Sequence, residues 1–495
     1  MSDSPPLASA PLTRGALTSN YVLAMIRSEL CDIVGPENVS SNTADRLGHS
    51  IDFYWIPEMW HDRRGSNPQP DFVVHAGSAD EVARVLRVAN HYKIPVTPWG
   101  GGSGSQGGAL PMYRGIALDM KRMNRVLEID TESLTVTCET GIIAQHLEWA
   151  LEKKGYSTMN QPGSINCATI GGLLAHRGTG VLSTKYGKME DMVMSLEVVT
   201  PTGEVINTLP VPRHASGPDL TQLFLGSEGT LGVITKVTLK IHPLPEVRKF
   251  HAFLFKTLTE AMSAGAEIMR QRLRPCVIRL YDEAETARLI KRVLGIDRQG
   301  AYLVFGFDGA AEMVEYELNQ AKAICARHNP EDLGEKLGQM WWDHRYKFFY
   351  PPYMFHLPQA FGTLDTVATF ANIEKVYWAM KKAVEENFPE ASYIGHFSHW
   401  YEWGCMLYAR FIVENPPQDP EEATLYYNRI WNHAIRAAMK EGGVLNEHHG
   451  IGLKLGRLMK ELYGPAFPVL ENIKKSFDPN NIMNPGKMGF KGFSS

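Results

Sequence analysis

Residues 98–111 read PWGGGSGSQGGALP, and six of the nine positions 100–108 are glycine. An ordered glycine costs roughly 0.5–1 kcal/mol against alanine, so such a run is not a casual turn. Gly102, Gly104 and Gly107 fit G-x-G-x-x-G. A dinucleotide fingerprint opens a helix directly, however, and here Ala109-Leu-Pro111 follows. No Gly-Lys-Ser/Thr follows either, which excludes a Walker loop. The stretch reads as a loop shaped for close backbone approach to a ligand. Its consecutive N–H groups form a nest suited to a pyrophosphate.

Three more glycine-bearing stretches accompany it: QPGSINCATIGG (161–172), HRGTGVLSTKYG (176–187) and GSEGTLGVIT (226–235). Four stretches in this span imply one elongated ligand touched by several loops. Around them the periodicity predicts a helix over 17–35, a loop over 58–70 and a strand from Asp71 to Ala76. Ser78 stands three residues before Glu81, a capping box opening a helix over 79–92. Strands follow at 94–97, 126–129, 134–138, 192–200, 205–209 and 231–241, with a helix at 142–154. After Pro245 the texture changes. Strands at 250–255, 276–280 and 302–307 alternate with helices at 259–270 and 311–326, which suits an antiparallel sheet covered by helices. Residues 341–361 read as an aromatic loop that lines or covers something. Residues 466–488 form a helix and a turn.

The length of 495 residues implies two or three lobes. Lys+Arg 50 against Asp+Glu 54 gives a net charge of −4, which argues against nucleic acid as a partner. No apolar run is long enough to span a membrane. The opening MSDSPPLASAPLTRG reads as a polar tail without a signal core, and the final Phe-Ser-Ser is no peroxisomal address. Six scattered cysteines argue against a disulfide scaffold and point to a reducing, cytoplasmic setting.

PWGGGSG (98–104), SGPDLTQLFLGSEGTLGVITKVTLKI (216–241) and FDPNNIMNPGKM (477–488) together resemble the vanillyl-alcohol oxidase/PCMH-type FAD-binding superfamily. The resemblance covers roughly 65–490. It implies an α+β fold of two lobes: an N-terminal tail and helix (1–64), a PCMH-type FAD-binding domain (65–245), a substrate or cap domain with an antiparallel sheet covered by helices (246–465), and a segment returning to the FAD domain (466–495). A homodimer is expected, with no metal. NEHHGIGLK (446–454) and NPGKM (484–488) are similar to FAD-linked 2-hydroxy-acid dehydrogenases. YGKMEDMV (186–193), VIRLYD (277–282) and SHWYEWGCMLY (398–408) are similar to alkylglycerone-phosphate synthases.

FAD is thus the expected cofactor. The resemblance assigns its binding to Pro98, Trp99, Gly100, Gly101, Gly102, Ser103 and Gly104 in the first loop. It adds Pro162, Gly163, Ser164, Thr169 and Gly172 in the second. His176, Gly178, Thr179 and Tyr186 come from the third, and Glu228, Gly229, Gly232, Val233 and Ile234 from the fourth. Ser103 and Ser105 stand where a flavin-linking histidine sometimes occurs, so non-covalent FAD is expected.

The candidate catalytic residues are Tyr408, His448, His449 and Arg279. Histidine titrates near neutral pH and can take a hydroxyl proton as hydride leaves carbon. A solvated surface turn is the alternative for the two histidines. Tyr408 matches a catalytic tyrosine of the synthases; packing within a sheet is its alternative. Arg279 in the apolar Val277–Tyr281 must be paired or face a cavity. It either holds an acidic substrate group or pairs with Asp282 or Glu283. Arg345 and Lys347 are weaker anion candidates. His396 and His399 could join His448 at a metal, but Phe397-Ser398 stands where the metal-binding relatives carry G-D-G-N. Glu447 replaces the first histidine of the synthase run, which favours an oxidoreductase that takes hydride from an alcohol or hydroxy acid. A synthase-like transferase that uses FAD without net redox is the alternative, and a non-catalytic flavoprotein the third reading. Trp400, Trp403 and the 341–361 segment hint at an aromatic or long apolar substrate group, with packing in the core as the equal alternative.

Overall fold

The computed structural model describes residues 20–65, 67–348 and 357–493. The polar stretch 1–15, residues 349–356 of the aromatic segment and the last two serines lie outside the described residues. Two sheets make the first lobe. In one, Phe72–His75, Ile116–Asp119 and Val96–Trp99 run parallel, with Val39–Ser40 antiparallel at the edge. The other is antiparallel, with Thr135–Glu139, Val233–Lys240 and Val193–Val199 at its centre. The helix Ala79–Tyr92 packs Val82, Val85, Leu86 and Ala89 inward, and the Ser78 side chain accepts from the Glu81 N–H. The glycine loop leaves the carboxyl end of Val96–Trp99 with no helix after it. In open parallel sheets that end is where ligands bind.

The second lobe is a seven-stranded antiparallel sheet. Side chains alternate between faces of a strand, and here the alternation separates packing from chemistry. Leu280, Phe397, Leu407 and Leu364 point to a core shared with the helices Ile373–Asn387 and Pro420–Lys440. Their neighbours Arg279, His396, Tyr408 and Asp365 occupy the other face, which turns toward the glycine loops. The C-terminal segment returns to the first lobe. Val96 N–H donates to the Ile482 carbonyl at 2.8 Å and Asn484 N–H to Val96 at 2.8 Å.

Two expectations change. Residues 58–64 of the expected loop belong to a helix, Trp55–Arg64. Pro57 sits in its first turn, where proline is tolerated, and Trp55, Ile56, Met59 and Trp60 are buried. The aromatic segment is not all loop: Gly334–Asp343 is helical, and the buried Trp341 donates to the Tyr281 hydroxyl at 2.9 Å. Trp400 is core and Trp403 exposed, so neither lines the site. Among the described residues, no helix is long and apolar enough to cross a membrane.

Candidate active site

Two cavities meet between the lobes. The first is a space of about 1000 Å³, part of it open solvent, lined by Pro98 to Gly104, Thr169, Gly172, His176, Glu228, Gly229, Gly232, Val233 and Ile234. Among the described residues, the N–H groups of Gly101 to Gly104 donate to no protein acceptor. Both amide atoms of the buried Gln106, on the same wall, lack partners. A Cβ on Gly104 would meet nothing within 4 Å and would stand in the cavity. Free donors, an orphaned amide and an open cradle suit a bound pyrophosphate, so these residues fit FAD. Gly101 has a different task. Its Cβ would lie 1.8 Å from the Cys167 carbonyl oxygen, so its glycine lets two loops pack.

Pro162, Gly163, Ser164, Gly178 and Thr179 border the second cavity instead. Tyr186 borders neither: its hydroxyl donates to Asp308 at 2.8 Å, fastening the lobes together. The Glu228 carboxylate, on the wall of the first cavity, is engaged within the protein. It accepts from the N–H groups of Ile451 and Gly452 at 2.5 and 2.7 Å, holding the turn that carries the two histidines. Burial pushes its pKa up to about 7.

The second cavity brings together all four candidate catalytic residues. His449 borders both cavities. Its Nδ1 lies 2.8 Å from Asp365 Oδ1, leaving Nε2 as the unengaged ring nitrogen. Burial alone would raise the Asp365 carboxyl. The imidazoles of His449 and His448 and the Glu447 N–H outweigh burial and hold it well below the usual carboxylate range. His448 lies behind, with ring centroids 3.9 Å apart. Burial, reinforced by His449, lowers its pKa to about 3, so it is neutral at pH 7. Its Nδ1 is 2.9 Å from Glu447 without the alignment of a hydrogen bond. His176 donates from Nδ1 to the His448 carbonyl at 2.8 Å, and burial lowers it to about 4. Tyr408 packs with ring centroids 5.3 Å from His449 and 6.0 Å from His448. Burial, then the Asp365 charge, raises its phenol, which therefore stays a proton donor.

Arg279 pairs with neither Asp282 nor Glu283. Asp282 accepts from Tyr377 and the Gly395 N–H, and Glu283 from the Leu258 N–H. Arg279 instead reaches the Nε2 of His396 at 3.2 Å, while His396 Nδ1 faces Glu285 at 3.1 Å. Burial and Arg279 hold His396 neutral, far below its ordinary pKa. Glu285 is in direct contact with the buried Arg410. Arg410 thus meets Glu285 directly and Arg279 only through His396, so among the described residues the Arg279 guanidinium contacts no carboxylate.

The proposed trio of His396, His399 and His448 does not assemble, because His396 is tied to Arg279 and Glu285. Potential ligand atoms do gather in two other triplets: Asp365, His448 and His449, and His399, Glu447 and His448. Lys188 already contacts Glu447 Oε1 at 2.9 Å. Arg345 stacks on Trp342 and Tyr346 and donates to Gln161, away from Arg279. Sequence reasoning missed Asp365, Arg410, Glu285, Thr363 and Lys188. A charged residue in an apolar strand flagged Arg279, and the same signal stood in Leu364-Asp-Thr366 and Ala409-Arg-Phe411.

An FAD binding domain matches residues 70–209, and the C-terminal domain of FAD linked oxidases matches 244–488. An FAD-linked oxidoreductase of Escherichia coli is 31% identical, over 94% of this chain and 98% of its own. Alkyldihydroxyacetonephosphate synthase of Trypanosoma brucei brucei is 30% identical, over 93% and 80%. A glycolate oxidase subunit of Bacillus subtilis is 30% identical, over 94% and 96%. A solved alkyldihydroxyacetonephosphate synthase aligns with a TM-score of 0.78 at 26% identity, covering 97% of this chain and 88% of that one. The 4-ethylphenol oxidase of Gulosibacter chungangensis, at 19% identity and a TM-score of 0.77, shares the fold. Matched along both lobes in this way, the chain belongs to the FAD-linked oxidases and is an FAD-dependent oxidoreductase.

Proposed function

We propose that the chain oxidises the carbinol carbon of a 2-hydroxy acid to the 2-oxo acid. The observation that carries this reading is the Asp365–His449 pair at the junction of the two cavities. FAD, when bound, supplies the acceptor for the hydride. The chain does the rest. Arg279, whose guanidinium contacts no protein carboxylate among the described residues, holds the substrate carboxylate. The Tyr408 hydroxyl donates to the substrate oxygen. His449 Nε2 takes the hydroxyl proton, and the ionised Asp365 stabilises the imidazolium that forms.

The reading is tested by anaerobic mixing of holoenzyme with a panel of 2-hydroxy acids, simple alcohols and phosphate esters. Bleaching of the flavin by hydroxy acids alone is the expected result. Product formation from a phosphate ester with the flavin spectrum unchanged would favour the transferase. Tyr408→Phe should keep FAD and slow flavin reduction by roughly tenfold, the low end of what positioned donors contribute. Unchanged reduction would make Tyr408 a packing residue.

Gly104→Leu is expected to fold and purify with little flavin, read as flavin absorbance per mole of protein. The added side chain enters open cradle space, unlike one at Gly101, which would push two loops apart. Full flavin content in this variant would remove loop 98–104 from the pyrophosphate site.

A further inference from the structure

We infer that the second cavity holds a second anchor, formed by Thr363 and Arg410, for a neutral oxygen at the far end of the substrate. The inference rests on the 2-hydroxy-acid reading only through Arg279, which fixes the other end. Thr363 and Arg410 are directly paired on neighbouring strands and both line the cavity. They are 6% and 3% exposed. The Thr363 hydroxyl and the Arg410 Nε have no hydrogen-bond partner among the described residues. A buried polar group left unmade costs about 1–3 kcal/mol, so two adjacent ones facing a cavity point to a ligand that satisfies them.

Charge fixes the chemistry of that ligand group. Arg410 is already in contact with Glu285, which is 0% exposed. A second carboxylate would approach Glu285 as well as Arg410 and meet repulsion. A hydroxyl or carbonyl oxygen accepts from Arg410 Nε and Thr363 without that cost. Position fixes its distance. Arg279 lies on Val277–Tyr281 and Thr363 on Ala360–Thr369, three strand spacings apart across the sheet and four residues out of row along it, roughly 20 Å between backbones, a span that Arg410 shortens from the Thr363 side. The long Arg279 side chain covers part of that span. Phe53, Phe348 and Phe361 line the cavity and suit a ring in the remainder. The substrate class is therefore a carboxylate with an aromatic or similarly flat body and a distal neutral oxygen.

The test uses two unreactive acids that lack the carbinol, so it does not depend on turnover. Phenylacetate and 4-hydroxyphenylacetate are titrated calorimetrically into wild-type holoenzyme, Thr363→Val and Arg279→Ala. Wild type should bind the 4-hydroxy acid about tenfold more tightly, the worth of one good hydrogen bond. Thr363→Val should cut that ratio several-fold, Arg410 Nε still donating, and leave phenylacetate affinity unchanged. An equal ratio in wild type and Thr363→Val, no preference in wild type, or no binding of either acid would overturn the second anchor. Arg279→Ala should weaken both acids alike. If it does not, the carboxylate anchor of the proposed function fails, whatever the Thr363 ratio shows.

Discussion

His449→Ala should keep its FAD and slow anaerobic flavin reduction by about 10²–10⁴-fold, the range for a positioned general base. Among the described residues no other imidazole combines its three features. It borders both cavities, its Nδ1 is engaged by a carboxylate, and that carboxylate is ionised. His448 is neutral, but it sits behind His449 with its Nδ1 against Glu447. His448→Ala should therefore slow reduction less than His449→Ala. Stopped-flow reduction of the two variants decides the order. A His449→Ala rate equal to wild type would pass the base role to another group.

Arg279→Ala should raise the dissociation constant for the acidic substrate by roughly 10–150-fold, the equivalent of 1.5–3 kcal/mol for a charged hydrogen bond. It should also fold. Among the described residues the only side chain hydrogen-bonded to Arg279 is the neutral His396, so truncation strands no buried carboxylate there. Arg410 is the contrast. Removing it would leave Glu285 buried and unpaired, a loss of about 3–5 kcal/mol. Arg279→Lys keeps the charge but not the planar fork, so it should recover part of the binding. Titration of a substrate analogue into each holoenzyme measures the effect, and wild-type affinity in Arg279→Ala would reduce Arg279 to a structural role.

The first lobe was legible because its signals are local. Ser78 with Glu81 marked a helix start, and the glycine run marked a loop whose free N–H groups the structure displays. The cap was legible as alternating strands, and the charged position in Val277–Tyr281 pointed to the cavity face. What escaped needed long-range register. Nothing in Leu364-Asp-Thr366 says that it lies beside Leu407-Tyr-Ala409, which lies beside Gly395-His-Phe397. That register places Asp365 under His449 and makes His396 a bridge between Arg279 and Glu285 rather than a partner of His399. Tyr186 was misplaced for a related reason: a motif beside a cofactor loop also fastens the lobes, here through Asp308.

The central claim is that the chain moves a hydride from the carbinol carbon while His449 removes the hydroxyl proton. The most direct measurement is single-turnover anaerobic reduction with a reactive 2-hydroxy acid carrying protium or deuterium at C2. The account predicts one equivalent of 2-oxo acid per flavin reduced and a slower bleaching rate with deuterium in the wild type. An oxo acid yield unconnected to flavin reduction, or turnover with the flavin oxidised throughout and no isotope effect, would contradict it.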